Sequence, residues 1–385
     1  MKFKGYRRPD GRVGVRNHVL LLPTSICANK VAAEIAGKVR GCVAIDNTYG
    51  CCQVGSDYDL TFRTIVNLGR HPNAGAVIVV GLGCEGLEPL KVYQELEKAG
   101  KPVAKIVIQE EGGTLQAFAR GCQIAREYGQ ILSQQERVPC DAGGLILGIE
   151  CGGSDTTSGL ASNPASGYAS DLLIAAGGTS ILSETTELIG AEHVLARRAV
   201  TPQVAEELMN MVRICEGKAK DMGQDIRGTQ PTPGNIAGGI TTIEEKSLGC
   251  IHKAGSAPVQ GILNYGEIPP AQGLYVMDTP GQDIVSISGM VAGGAQVVIF
   301  TTGRGTPTGN PLAPVLKITG NRRTYTKMRD NIDIQVAEIV EGTKTISEMG
   351  QTIFAEIMKV TGGKTTKAEE LGHTEFSIYR TGPTF

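Results

Sequence analysis

Residues 74–84, AGAVIVVGLGC, decide the fold class: an unbroken apolar run ends in a glycine turn, and LEPLKVYQELEKAG (87–100) follows with helical spacing. A strand covered on both faces needs no polar alternation, and a helix directly after it is the connection that parallel strands require. The same unit recurs on either side. HVLLLPTS (18–25) precedes NKVAAEIAGKVR (29–40), and CVAIDNT (42–48) precedes DYDLTFRTIVNLGR (57–70). KPVAKIVIQ (101–109) then precedes GTLQAFARGCQIAREYG (113–129). Four strand–helix units predict a Rossmann-like N-terminal domain over residues 1–135.

The polar segment 133–144, SQQERVPCDAGG, reads as a linker, and the apolar run GLILGIEC (144–151) opens a second α/β domain over residues 141–385. Within it, SGYASDLLIAAGG (166–178) is helical and TSILSE (179–184) strand-like. Thr201 and Pro202 open a long amphipathic helix over 201–223, as an N-cap threonine and a first-turn proline should. GLYVMD (273–278), GAQVVIFTTGRGT (294–306) and LAPVLKITG (312–320) are again strands running into Gly/Thr loops, and a helix with a polar tail closes the chain. The expectation is an α/β protein of two Rossmann-like parallel-sheet domains, with the active site at strand C-terminal ends between them.

Bulk properties agree with two cores and narrow the function. A chain of 385 residues exceeds what one hydrophobic core usually serves. A net charge of −2 gives no electrostatic reason to expect nucleic acid, and 4 % aromatics without tryptophan offer no stacking platform. The 52 glycines are roughly twice the ~7 % share of ordinary proteins and point to tight turns and ligand loops. The start, MKFKGYRRPDGRVGVRN, lacks the apolar run of a signal peptide, and no apolar stretch approaches the ~20 residues of a membrane span. A cytoplasmic location is expected, so the ten cysteines read as thiols or ligands rather than a disulfide framework.

Four of those cysteines take strand-end positions. Cys27, Cys51 and Cys84 fall just past the first three strands, and Cys151 ends the first strand of the second domain. Convergent thiolates without histidine pairs suit iron–sulfur or zinc ligation; buried unligated thiols and a redox role are the alternatives. Cys52 alternates with Cys51 and reads as packing, as do Cys42, Cys122, Cys140, Cys215 and Cys250.

Other polar groups surround these positions. Glu85 in GLGCEG is either a ligand or base, or a helix-start acid satisfied by backbone amides. Ser154, Asp155, Thr156 and Thr157 lie in a run dense in small polar residues, whose amides and hydroxyls can cradle a carboxylate. Arg304 in FTTGRGTPTGNP can grip a carboxylate bidentately. Glu184 sits at a strand end as a base or ligand, and Lys246 and His252 are surface charges or catalysts. GxSxG, HExxH and P-loop motifs are absent from the sequence.

As a set, GYRRPDGRVGVRN, VVGLGCE, GGSDTTSG, GGTSILSETTELIGAE, PTPGNIAGGITTIEEKSLG, MDTPG and FTTGRGTPTGNP resemble the catalytic region of the altronate/galactarate dehydratase family of sugar-acid hydro-lyases, from about residue 4 to residue 340. The resemblance implies a metal-dependent carbon–oxygen lyase that turns a 2,3-dihydroxy acid into a 2-keto-3-deoxy acid. It implies iron, as Fe2+ or an iron–sulfur cluster, or else Mn2+ or another divalent metal. A related branch is (2R)-sulfolactate sulfo-lyase, which eliminates sulfite. Single-chain members carry a small N-terminal domain ahead of this region, so the resemblance implies a large subunit with a separate small subunit as partner, and a homo-oligomer. A non-catalytic metal- or carboxylate-binding subunit is the competing class.

In that frame, Cys27, Cys51 and Cys84 would hold iron with an open position, and Cys151 would close it as a fourth ligand. Ser154 to Thr157 and Arg304 would hold the substrate, and the base would be Glu184, Lys246 or Glu85. One departure stands out: many members have His four residues before the first cysteine of the GCC run, where this chain has Asn47.

Overall fold

The computed structural model describes residues 1–385. After β1 (Lys2–Arg7) and β2 (Val13–Gly14), four strands form the first parallel sheet: β3 (His18–Pro23), β4 (Cys42–Ala44), β5 (Ala74–Gly81) and β6 (Val103–Val107), in the order β4-β3-β5-β6. All eight residues of β5 are buried, the burial expected of a central strand covered on both faces. Alternate residues serve the two faces. Val19 and Leu21 join Val31, Ile35, Ala117 and Ala125 of the helices at Asn29–Lys38 and Thr114–Ser133. Leu20 and Leu22 join Ile65, Leu68, Val92 and Leu96 of the helices at Gly55–Arg70 and Pro89–Glu97.

The segment read as linker contains β7 (Val138–Asp141), which pairs antiparallel with β1; β1 in turn pairs with β2. Phe3, Val13 and Val15 are part of the second domain's core, so the first fifteen residues fold onto the half of the chain farther away in sequence.

The second sheet has seven parallel strands: β8 (Ile146–Cys151), β9 (Thr179–Leu182), β10 (Val259–Leu263), β11 (Gly273–Met277), β12 (Val297–Thr301), β13 (Val315–Thr319) and β14 (Ile334–Gln335). Their order is β10-β11-β9-β8-β12-β13-β14. From β8 the chain moves to β9 on one side, and only after β11 does it cross to β12 on the other. The carboxyl ends of β8, β9 and β12 therefore flank a topological switch point, where open α/β sheets bind ligands.

One face of this sheet packs on the helices at Asn163–Ala175 and Ile346–Thr361. The other packs on a helix the periodicity did not announce, Asp283–Ala292, whose contact with the helix at Gly55–Arg70 joins the two domains. Its sequence, DIVSISGMVA, is buried along nearly its whole length and its polar residues, Asp283, Ser286 and Ser288, form no solvent-facing stripe, so no amphipathic period betrays a helix. The polar tail completes the join: Ser377 N–H donates to Ser288 Oγ at 3.3 Å, Thr381 N–H to Asp57 Oδ1 at 2.9 Å, and Phe385 N–H to the Cys52 carbonyl at 3.0 Å. Among the described residues no helix is long and apolar enough to cross a membrane.

Candidate active site

Beneath the switch point lies a buried ionic cluster built wholly from the second domain. Glu150 and Cys151 end β8. Glu184 follows β9 in the left-handed region, φ 70°, which is costly for a non-glycine residue and turns its side chain toward β8. Two contacts hold that conformation: Glu184 N–H donates to Thr279 Oγ1 at 2.7 Å, and Thr185 N–H to the Thr279 carbonyl at 3.0 Å. The short turn Thr185–Leu188 then places Glu187 beside Glu184.

A second wall comes from the helix Ile243–Cys250 and the turn Ile251–Ala254. Lys246, Cys250 and Lys253 stand four and three residues apart, so all three present to one side. Lys253 is fully buried. Its ammonium donates to Glu184 Oε2 at 2.6 Å, Cys151 Sγ at 2.9 Å and Glu187 Oε2 at 3.0 Å. Lys246 Nζ lies 3.1 Å from Glu187 Oε1 and donates to Gln230 Oε1 at 2.9 Å. The Cys151 thiol donates to Glu187 Oε2 at 2.7 Å, and its sulfur is 3.5 Å from Cys250 Sγ.

This arrangement sorts the carboxyls. Burial alone would raise Glu187, but Lys253 and Lys246 outweigh it and hold the group well below its ordinary value. Burial, then the charge on Glu187, pushes Glu184 up to about 7 despite Lys253. Burial and the Glu184 charge push Glu150 well above its usual range, and burial with Glu187 takes Asp283 up to about 6. Burial would lower Lys246, but Glu187 and the two thiols raise it, so it stays an ammonium. Burial and the neighbouring Cys250 keep Cys151 a thiol.

A stability prediction follows from Glu184. A carboxyl whose folded value, about 7, exceeds its ordinary 4.5 holds a proton more tightly when folded. Its contribution to stability therefore grows as pH falls from 7 toward 4.5, and is lost as pH rises through 7. The depressed Glu187 acts in a separate window, losing its contribution only as pH falls below 4.5. Urea unfolding is expected to show greater stability at pH 5 than at pH 8, with Glu184 contributing on the order of 2 kcal/mol. Glu184→Gln removes that share of the slope; an unchanged slope would refute the assignment.

Two clefts flank the loop after β8. One, of about 310 Å³, is lined by Ser154, Thr156, Asn163, Lys246, Cys250 and His252. The other, of about 360 Å³, is lined by Thr157, Arg304, Asn321 and Lys327; Asp155 and Thr156 border both. Of the expected substrate-binding residues, Asp155 is a brace. Its Oδ1 accepts from Thr157 Oγ1 at 2.6 Å and Ser158 N–H at 3.1 Å, and its Oδ2 from Asn321 Nδ2 at 2.8 Å. The loop runs into a π-helical turn, Ser158–Ser162, a distortion frequent at functional sites. Gly152 lets it approach the acid cluster, since a Cβ there would fall 2.3 Å from Asp283 Oδ2.

The expected metal and base residues are distributed differently from the sequence reading. Cys27, Cys51 and Cys84 are exposed on loops of the first domain, whereas Cys151 is buried in the second. Among the described residues, two groups of three ligand-type side chains have donor atoms within 4.8 Å of one another: Cys151, Glu187 and Cys250, and Glu150, Glu184 and Asp283. The first-domain thiols are in neither. Cys52, expected as packing, is also exposed, at φ 57° with its sulfur 3.7 Å from Cys51 Sγ.

Glu85 locks a turn, accepting from Thr24 Oγ1 at 2.6 Å, Leu82 N–H at 2.9 Å and Gly83 N–H at 2.6 Å. Against the effect of burial, these donors hold it below its ordinary value; two of them are backbone amides, in a turn ahead of the helix Pro89–Glu97 rather than at its start. Asn47 is buried, with Nδ2 on the Pro23 carbonyl at 3.1 Å and Oδ1 accepting from Tyr49 N–H at 3.0 Å. Lys253, Glu187, Glu150 and Asp283 escaped sequence reasoning altogether, and Cys250 was read as packing. The helical spacing 246–250–253 was the available signal for two of them.

Comparison with known proteins settles the family. Residues 5–133 match the domain described as D-galactarate dehydratase/Altronate hydrolase, second domain, and residues 142–384 match D-galactarate/Altronate dehydratase, C-terminal. The chain belongs to the galactarate/altronate dehydratase family. It is accordingly a lyase. The (2R)-sulfolactate sulfo-lyase subunit beta of Chromohalobacter salexigens is 39 % identical over 98 % of this chain and 97 % of its own length. The altronate dehydratases of Escherichia coli and Bacillus subtilis are 36 % and 33 % identical over 98 % and 99 % of this chain, in each case 78 % of their own length. Family membership thus places the buried lysine–carboxylate cluster in a scaffold whose members are named for eliminations on small hydroxy acids.

Proposed function

We propose that the chain dehydrates a sugar acid, an altronate-like 2,3-dihydroxy acid, to a 2-keto-3-deoxy acid, acting as the large subunit of an enzyme with a separate small subunit. The observation that carries this reading is Lys246, an ammonium anchored on Glu187 that lines the 310 Å³ cleft together with Ser154 and Thr156. Abstraction of the proton beside a carboxylate builds an enediolate, and a fixed cation at that carboxylate stabilises the developing charge. Ser154 and Thr156 would hold substrate hydroxyls. Glu184 is sealed behind Lys253 and Glu85 is bound up in its turn, so of the three expected bases Lys246 alone reaches the cleft, and it is charged. His252 lines the same cleft and takes the base role, through a ring nitrogen that can accept the proton.

The donor chemistry also bears on the expected metal. Glu150, Glu184 and Asp283 are an all-oxygen set, and Glu150 Oε1 is buried without a hydrogen-bond partner. Oxygen donors suit a hard divalent cation such as Mn2+ or Fe2+, but Glu184 Oε2 is already taken by the Lys253 ammonium at 2.6 Å, so the set as it stands does not fit one.

A panel of aldonates and aldarates, assayed for 2-keto-3-deoxy acid with and without added Mn2+ or Fe2+ and a co-expressed small subunit, tests the reading. Turnover of an aldonate supports it; no turnover in any combination refutes it in favour of a binding subunit. A second reading, sulfolactate sulfo-lyase, is favoured by the near end-to-end match to that enzyme's beta subunit. Sulfite and pyruvate from sulfolactate, without dehydration of any sugar acid, would select it.

A further inference from the structure

We infer that the Cys151–Glu187–Cys250 group is a cation site permanently filled by the Lys253 side chain, so that a metal is excluded there by an ammonium rather than by lack of ligands. Two thiols and a carboxylate with donor atoms within 4.8 Å form a ligand set that would ordinarily suit zinc or ferrous iron. Here the cation is already present. Lys253 Nζ lies 2.9 Å from Cys151 Sγ and 3.0 Å from Glu187 Oε2, two of the three donors, and its third hydrogen bond goes to Glu184 Oε2 at 2.6 Å. The lysine is fully buried and its three N–H bonds are all used, so nothing draws it out of the site.

A metal bonded to the same sulfur and oxygen, at roughly 2.3 and 2.1 Å, would sit within roughly 4–5 Å of the ammonium on either side. In a dry interior that repulsion is scarcely screened. The Cys151 hydrogen points at Glu187 Oε2, so the thiol is also spent as a donor where a ligand would have to be a thiolate. The fixed charge ties the ends of β8 and β9 to the helix that carries Lys246, and that positioning needs no ion. The expectation of a thiolate-held iron is therefore not met by this group, whichever acid the cleft takes.

Anaerobic Co2+ titration tests the inference, because a thiolate–cobalt bond gives a near-ultraviolet charge-transfer band. Comparing the chain with its Cys250→Ser variant isolates the band due to this group from any arising at the exposed cysteines. The two titrations are expected to coincide. Lys253→Met, which removes the charge at similar length, is expected to gain one equivalent of bound Co2+, lost again in Lys253→Met/Cys250→Ser. If Lys253→Met does not fold, Glu184→Gln/Lys253→Met, which removes an opposing charge as well, takes its place. A Cys250-dependent band in the unmodified chain overturns the inference, as does a folded Lys253→Met variant that gains no Cys250-dependent band.

Discussion

Lys246→Ala is expected to lower kcat/KM by roughly 10²–10³-fold while leaving the fold in place. The expectation rests on an asymmetry between the two lysines. Lys253 is sealed in and pairs with both Glu184 and Glu187, whereas Lys246 pairs with Glu187 alone and lines the cleft. Losing Lys246 leaves Glu187 still paired with Lys253, which also serves Glu184, so the melting temperature should fall less than it does when Lys253 is lost. What disappears is the cation facing the substrate, whose stabilising effect is greatest when the enediolate forms. The loss should therefore fall mainly on kcat rather than KM. Lys246→Arg, which keeps the charge on a different head group, should recover part of the rate. Circular dichroism and steady-state kinetics on the same preparations check both halves. A variant with unchanged kcat would remove Lys246 from the reaction.

The difference between the two lysines also explains what could be read in the sequence. The parallel sheets were legible because their strands are continuous apolar runs followed by helices of regular spacing, as in β5 and the helix after it. Elements with no pattern of their own were not. β7 lies in a polar stretch and exists because β1 pairs with it, and the helix Asp283–Ala292 is buried along nearly its whole length, with no solvent-facing stripe. The strand-end thiols of the first domain stay exposed, while the ionic cluster forms under the second sheet's switch point. That cluster draws Glu150, Glu184, Lys253 and Asp283 from four separate segments. Sequence neighbours cannot disclose such convergence: Glu184 drew notice by its strand-end position, while Glu150, Lys253 and Asp283 carry no signal of their own. Lys246 was noticed for its motif, whereas Lys253, three residues past Cys250, needed the helical count to be carried one turn further.

Lys253→Met should be the most destabilising single substitution in the cluster. Removing one partner of a buried ion pair leaves its counter-charge desolvated and uncompensated, at a cost of about 3–5 kcal/mol. Among the described residues Lys253 is the only cation paired with Glu184, so that carboxylate would keep just the Cys151 N–H, at 3.0 Å. Methionine is close to lysine in length and volume, so a cavity contributes little and the charge dominates. A fall in melting temperature of roughly 10 °C is expected at neutral pH. The loss should shrink as pH falls, because Glu184 can then take up a proton and shed the charge that lysine no longer balances; with Lys253 gone that uptake begins at a higher pH than in the unmodified chain. Glu184→Gln/Lys253→Met, neutral at both positions, should recover at least half of the loss at pH 8, since coupled charges do not contribute additively. Thermal unfolding of the two variants across pH 5–8 decides the matter. If the double variant is no more stable than Lys253→Met, the lysine holds the site by packing rather than by charge.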